Sequence, residues 1–319
     1  MKIGYPCKNI QLATTHSKTF RLASYTEERL SEAVLWNLEG LGNILEFNAE
    51  AGFLVFRLSS DIVPFASHDV CTMDWRERFQ SEFSRIAERI CHYEMRVSTH
   101  PGQFILLNSP REDVVAASFR ELDYHADVLD LVGADSTGRI QIHLGGTYGD
   151  KPAAIDRFAE TFPLLPDKVR NRLVVENDER QYSLADCLVL YEKIGIPILF
   201  DAFHHLLFNN GESYAEALRL VSRTWDPVKD GVPLVDYSNQ AEGKQKGAHT
   251  DHIDLADFRQ FLTETREFDF DIMLEIKDKE TSATDAVRVA KEIRDDIETQ
   301  TPSLRVNSTA SWKLSANNI

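Results

Sequence analysis

Six stretches decide how this chain folds: Met95-Arg-Val-Ser-Thr-His100, Arg139-Ile-Gln-Ile-His143, Arg172-Leu-Val-Val-Glu176, Pro197-Ile-Leu-Phe-Asp201, Val232-Pro-Leu-Val-Asp236 and Asp271-Ile-Met-Leu-Glu275. Each is a short apolar run that ends on a side chain able to ligate a metal. The runs are mostly rich in Val, Ile and Leu, which suits strands covered on both faces. In a parallel barrel the C-terminal ends of all strands share one rim, and enzymes with that fold keep their chemistry there. The pattern therefore predicts an α/β protein, a (β/α)8 TIM barrel with a metal site at the C-terminal rim.

Working outward, Lys2-Ile-Gly-Tyr5 and Phe53-Leu-Val-Phe-Arg57 bring the strand count to eight. A helix from Thr26 to Phe47 separates these two. Amphipathic segments follow at Trp75 to His92 and Val114 to Val132. Ser183 can cap a helix from Leu184 to Ile194. Further helices are predicted at Ser213 to Val221, Leu255 to Thr265 and Asp285 to Ile297, the last with Thr284 as cap. Residues 1–299 are read as one barrel domain, which fits the roughly 250 residues of this fold plus loops. Residues 300–319 are polar and aperiodic and are read as a loosely attached tail. The longest expected loop is Tyr237 to Asp251, after the seventh strand.

The 319 residues carry a formal charge of −16, which argues against broad nonspecific nucleic-acid binding. Clustered carboxylates that hold divalent cations account for part of that acidity. The four cysteines form no CxxC pair, so neither a zinc knuckle nor a disulfide framework is expected. No apolar run approaches the roughly 20 residues needed to span a bilayer. The N-terminus lacks a secretory apolar core. A cytoplasmic protein without membrane partners is expected.

His100 and His143 end adjacent strands and Glu176 ends the next. Two imidazoles and a carboxylate suit Zn²⁺, Mn²⁺ or Fe²⁺ rather than Mg²⁺. Glu176, Asp201, Asp236 and Glu275 add a carboxylate-rich half. A carboxylate between the halves could bridge two ions about 3.5–4 Å apart, as in two-metal phosphoesterases. Of the tandem His204 and His205, His204 is the favoured ligand, with His205 equally suited to a supporting hydrogen bond behind the ligands, and His249 could meet His204 at a third ion. Singly, each residue has a plainer use, a loop hydrogen bond for a His or a helix cap for an Asp or Glu. Together, unpaired carboxylates on one rim would repel, and cations resolve that repulsion. In His100-Pro-Gly-Gln-Phe104 the Pro-Gly pair forces a tight turn that pushes Gln103 and Phe104 out over the site. An amide beside an exposed ring suits a wedge that enters a base stack. The Gly-rich turn from His143 to Lys151 could bring amides to a phosphate, although such turns often only connect elements.

These motifs resemble the UV damage endonucleases over roughly residues 2 to 280. The shared pieces are Gly-Tyr-Pro-Cys-Lys-Asn9, Arg57-Leu-Ser-Ser-Asp-Ile-Val-Pro-Phe-Ala-Ser-His68, His-Pro-Gly-Gln-Phe104, the turn opened by His143, Val175-Glu-Asn-Asp-Glu-Arg180, Phe200-Asp-Ala-Phe-His-His205 and Leu274-Glu-Ile-Lys277. The resemblance implies a barrel with two or three divalent ions, usually Mn²⁺ with Zn²⁺ or Mg²⁺ as alternatives. It implies nicking of damaged double-stranded DNA 5′ to pyrimidine dimers, 6-4 photoproducts or abasic sites. Carried over position by position, the ligands are His100, His143, Glu176, Asp201, His204, Asp236, His249 and Glu275. His68 is expected beside them at the end of strand two, and Lys277 is expected to face the scissile phosphate. Gln103 and Phe104 are the damage-probing pair, with Tyr5 and Asn9 along the DNA face. Neither an organic cofactor nor an oligomer is expected.

The sequence departs from the family pattern in three places. Phe104 stands where many members have Tyr, Asp236 where many have His, and Leu234 where some have a modified Lys. Two other activities share the barrel. A sugar isomerase or epimerase needs neither the Gln103–Phe104 turn nor the Lys-bearing loop Glu242-Gly-Lys-Gln-Lys246. A general abasic-site endonuclease is separated by comparing dimer and abasic duplexes.

Overall fold

The computed structural model describes residues 1–300. Eight parallel strands close into a barrel in chain order. They are β1 Ile3–Pro6, β2 Val55–Leu58, β3 Arg96–Thr99, β4 Arg139–His143, β5 Leu173–Glu176, β6 Ile198–Asp201, β7 Leu234–Tyr237 and β8 Asp271–Leu274. The helices are α1 Glu27–Ala51, α2 Trp75–Arg78, α3 Gln80–Tyr93, α4 Glu112–Leu131, α5 Lys151–Thr161, α6 Asp167–Arg170, α7 Leu184–Ile194, α8 Ala202–Leu207, α9 Tyr214–Ser222, α10 Leu255–Glu264 and α11 Glu280–Ile293. The expected tail at 300–319 lies, but for its first residue, outside the described residues. No described helix is long and apolar enough to cross a membrane.

Register places the candidate ligands at one level. His143 lies opposite Glu176 across the β4–β5 pair, and Asp201 lies opposite Asp236 across β6–β7. The strands can approach closely because of residues such as Gly4, where an added Cβ would meet the Val55 carbonyl oxygen at 1.7 Å. At the opposite, N-terminal end the barrel is plugged by ion pairs. Arg96 pairs with Asp271 at 3.0 Å and Arg139 with Asp230 at 2.7 Å. Both guanidiniums also sit over the buried Trp225 ring.

The helices differ from the sequence reading in several places, and the short α6 and α8 were not expected at all. The Trp75–His92 segment breaks at Phe79, whose ring is buried at the joint between α2 and α3. The last helix starts at Glu280 rather than Asp285, because the buried Glu280 carboxylate anchors it by accepting the Ile10 and Gln11 N–H groups at 2.9 and 2.7 Å. Thr284 is thus an interior residue whose hydroxyl donates to the Glu280 carbonyl. Helix α5 was not anticipated, although Asp150 before Lys151-Pro152 is a start signal: its carboxylate accepts the Ala153 N–H at 3.0 Å.

Candidate metal centre

Three overlapping groups of ligand atoms gather at the rim, each within 4.8 Å: His100, His143 and Glu176; Glu176, Asp201 and His204; Asp201, Asp236 and Glu275. Strand ends deliver His143, Glu176 and Asp201 directly, while His100 and Glu275 follow β3 and β8 by one residue. Asp236 is the penultimate residue of β7. His204 arrives differently. Asp201 ends β6 and caps α8 by accepting the His204 N–H at 2.7 Å, which turns the chain sharply and aims the imidazole back at the carboxylate. The His204 Nδ1 lies 3.0 Å from Asp201 Oδ2 and 3.2 Å from the Asn177 carbonyl.

The electrostatics of the first two groups are unresolved within the protein. Glu176 Oε1 lies 2.9 Å from His100 Nε2 and 3.1 Å from His143 Nε2. Neither Glu176 Oε1 nor His100 Nε2 makes a hydrogen bond, although both are buried. Orphaned buried polar atoms are costly. Burial, with Asp236 and Asp201 next, pushes the Glu176 carboxyl well above the usual carboxylate range. Burial, then Arg57 and His143, holds His100 well below the usual imidazole value. His143 is likewise lowered by burial and then by His204. Neutral imidazoles beside a buried carboxyl whose anion burial and the neighbouring carboxylates disfavour, with Arg57 opposing them only in part, are the donor set that Mn²⁺ or Zn²⁺ takes, so these residues fit a metal centre.

Two residues at the centre escaped the sequence reading. Arg57, only 2 % exposed, reaches across the barrel to bind Asp236 through Nη2 at 2.6 and 2.7 Å and Glu275 through Nη1. Gln141 accepts from Arg57 at 2.6 Å and donates to Asp236 at 2.6 Å and to Glu176. Burial pushes Asp236 up to about 7 against the pull of Arg57. For Glu275 burial also works upward, but Arg57, His249 and His100 outweigh it and hold the carboxyl at about 2. Inward-facing polar residues on β2 and β4 were the available signal. Strands read as buried on both faces should not carry an Arg or a Gln without a partner.

Several expected positions require correction. Tyr5 and Asn9 are buried and do not line an exposed DNA face. The Tyr5 hydroxyl lies between Asn48 at 2.5 Å and Asn9 at 2.8 Å, and Asn9 in turn accepts the Gln11 and Leu12 N–H groups. Both residues thus lock the first loop onto α1. His68 is not at the end of β2: nine residues lie between it and Leu58. It is exposed, belongs to none of the three ligand groups and accepts its own Val70 N–H at 3.0 Å. His249 stands beside the centre, with its ring 6.3 Å from that of His204, but outside the three groups. Its Nδ1 is engaged with the Glu275 carbonyl, which leaves Nε2 facing inward, 3.8 Å from the Glu275 carboxylate.

The remaining expected residues are placed as follows. His205 turns away and bonds the Glu212 carbonyl through Nε2. Lys277 is exposed and pairs with Asp251 at 2.8 Å. In the Gly-rich turn the Gly146 carbonyl accepts from Asn108 and Tyr182, which fixes its shape. The turn after His100 does push Gln103 and Phe104 outward, with Phe104 63 % exposed. Gly102 makes room for that ring, since a Cβ there would lie 2.5 Å from it. Beside the turn, a cleft of about 270 Å³ runs from Gln103 past His143 to Asp178 and Arg180.

The family model described as UV-endonuclease UvdE matches residues 1–304. The chain belongs to this family of UV endonucleases. A protein of Clostridium perfringens named UV DNA damage endonuclease is 39 % identical over 92 % of this chain and 71 % of its own length. One of Bacillus cereus with the same name is 33 % identical over 92 % and 96 %. The crystal structure of SacUVDE superposes with a TM-score of 0.87 at 44 % identity, covering 92 % of this chain and 98 % of that one. Endonuclease IV from Thermus thermophilus, at 16 % identity, 80 % and 94 % coverage and a TM-score of 0.57, shares the fold.

Proposed function

We propose that this chain repairs DNA by nicking the phosphodiester 5′ to UV photoproducts and abasic sites through metal-assisted hydrolysis, leaving a 3′-hydroxyl and a 5′-phosphate. Mn²⁺ is the proposed cofactor. The enzyme is taken to act in the cytoplasm as a monomer without an organic cofactor. The observation that carries this reading is the buried, unbonded Glu176 oxygen between two imidazoles, close to an exposed Gln103–Phe104 turn. Family membership and the relatives' names support the DNA substrate.

His100, His143, Glu176, Asp201 and His204 would hold the ions. Bound there, divalent cations supply an activated water and neutralise charge developing on the phosphate. The protein's share is positioning. Gln141 fixes the Glu176 carboxylate from below, and Asn177 fixes the Asp201 backbone with bonds of 2.9 and 3.1 Å. Such supporting bonds orient ligands and tune their affinity. Phe104 presents a stacking face and Gln103 an amide to the opened duplex. Dimers and abasic sites stack poorly, so opening them costs less than opening intact pairs. Lys277 can serve the scissile phosphate by exchanging its Asp251 partner for it.

The test strips the protein with a strong chelator, restores Mn²⁺ and assays duplexes carrying one dimer, one abasic site or neither. End-labelled products are mapped to the nucleotide. The expected result is Mn²⁺-dependent nicking 5′ to both lesions. Nicking that survives chelation excludes the metal role. Cleavage of the abasic duplex alone favours a general abasic-site endonuclease instead.

A further inference from the structure

We infer that Arg57 is a built-in cation of the centre, which takes the place of an ion at Asp236 and Glu275, so that this chain binds two divalent ions and not three. The inference rests on the metal reading above. The three ligand groups differ in one respect. The two that contain Glu176 hold orphaned buried atoms, whereas in the third both Asp236 oxygens and Glu275 are already bound to one guanidinium. Arg57 is positioned for this. It lies on β2, across the barrel from β7 and β8, and Gln141 anchors its Nη2 at 2.6 Å from the β4 side.

A divalent ion among Asp201, Asp236 and Glu275 would have to share both Asp236 oxygens with the guanidinium and, on Glu275, would find only Oε2 free of it. It would sit beside a guanidinium that cannot deprotonate, in a buried site where like charges repel strongly. Away from these two carboxylates, the hydrogen bond that holds the Arg57 head goes to the neutral Gln141 oxygen, which offers no charge to replace theirs. The Arg57 Nε already lacks a hydrogen-bond partner, so expelling the head from these carboxylates leaves more of a buried charge unpaired. Asp201 is shared between the second and third groups and has no bond to Arg57, so it stays available to the ion held by Glu176 and His204.

The experiment counts metal. Purified protein is stripped, equilibrated with Mn²⁺, freed of loose ions and analysed by elemental mass spectrometry. Two ions per chain are expected, rising to three in Arg57→Gln, where Asp236 and Glu275 lose their cation. Three ions in the wild type, or two in a folded Arg57→Gln, would overturn the inference. None in the wild type would overturn the metal reading beneath it. Should Arg57→Gln not fold, anomalous scattering at the Mn edge from wild-type crystals decides: two peaks with Arg57 still on Asp236 support the inference, and a third peak among Asp201, Asp236 and Glu275 refutes it.

Discussion

The Asp201 carboxylate accepts the His204 N–H at 2.7 Å while its other oxygen lies 3.0 Å from the His204 ring, so one side chain both starts a helix and aims a ligand. The two jobs are separable. Asn caps a helix about as well as Asp but carries no charge, whereas loss of the cap to Ala costs about 1 kcal/mol. Asp201→Asn and Asp201→Ala should both lose nicking and Mn²⁺ affinity. In chelator, the urea midpoint of the Ala variant should lie below that of the Asn variant. Equal midpoints would show that the cap carries no weight.

Glu176→Gln removes a carboxylate that burial, Asp236 and Asp201 all disfavour as an anion. Nicking should fall at least about a thousandfold, as expected when an ion-holding group is lost. The metal-free variant should be more stable than the wild type by about 1–3 kcal/mol, because an amide needs no counter-charge. Urea unfolding in chelator measures this, and a destabilised variant would show that Glu176 is already compensated within the protein.

Phe104→Ala should weaken binding to a damaged duplex by about 1–3 kcal/mol if the ring stacks on a base. The ring is 63 % exposed, so thermal stability should not change. A lowered melting temperature with unchanged affinity would assign the ring to its own loop.

Tyr5→Phe deletes a hydroxyl bonded to Asn48 and Asn9. Stability should fall by about 1–2 kcal/mol, since buried amides lose a partner. Affinity for DNA should stay the same. Weaker DNA binding at unchanged stability would restore Tyr5 to the substrate surface.

His16 is buried against Phe56, and its Nε2 accepts the Ser59 N–H at 2.9 Å. Burial, followed by the charge of Lys8, lowers its pKa from 6.5 to about 3. The unfolded chain therefore takes up a proton that the folded chain refuses. The resulting stability is present above pH 6.5 and is lost as pH falls towards 3, at about 1.4 kcal/mol per pH unit. Denaturant midpoints between pH 7 and 4 should drop less steeply in His16→Gln. Parallel curves would contradict this.

Much of the rim was legible because a barrel converts a one-dimensional rule, the last residue of an apolar run, into a three-dimensional ring. His100, His143, Glu176, Asp201 and Glu275 followed from that rule alone, whereas His204 was favoured over His205 with nothing in the sequence to separate the two. What stayed hidden depends on partners distant in sequence. Arg57 ends the run Phe53 to Arg57 as plainly as Asp201 ends its own, but its partners lie 179 and 218 residues away. Tyr5 and Asn9 are polar residues near a strand end, and the Asn48 that buries them sits on α1, where nothing local announces it. His68 failed because nine loop residues intervene and no periodicity carries across them.

The Arg96–Asp271 and Arg139–Asp230 pairs close the barrel floor around Trp225. The centre is therefore a blind well with a single mouth. On the proposed mechanism, ions and water would enter by the opening that a bound duplex would stopper. If cations load through that mouth before substrate seats, excess duplex added ahead of Mn²⁺ should delay the first turnover.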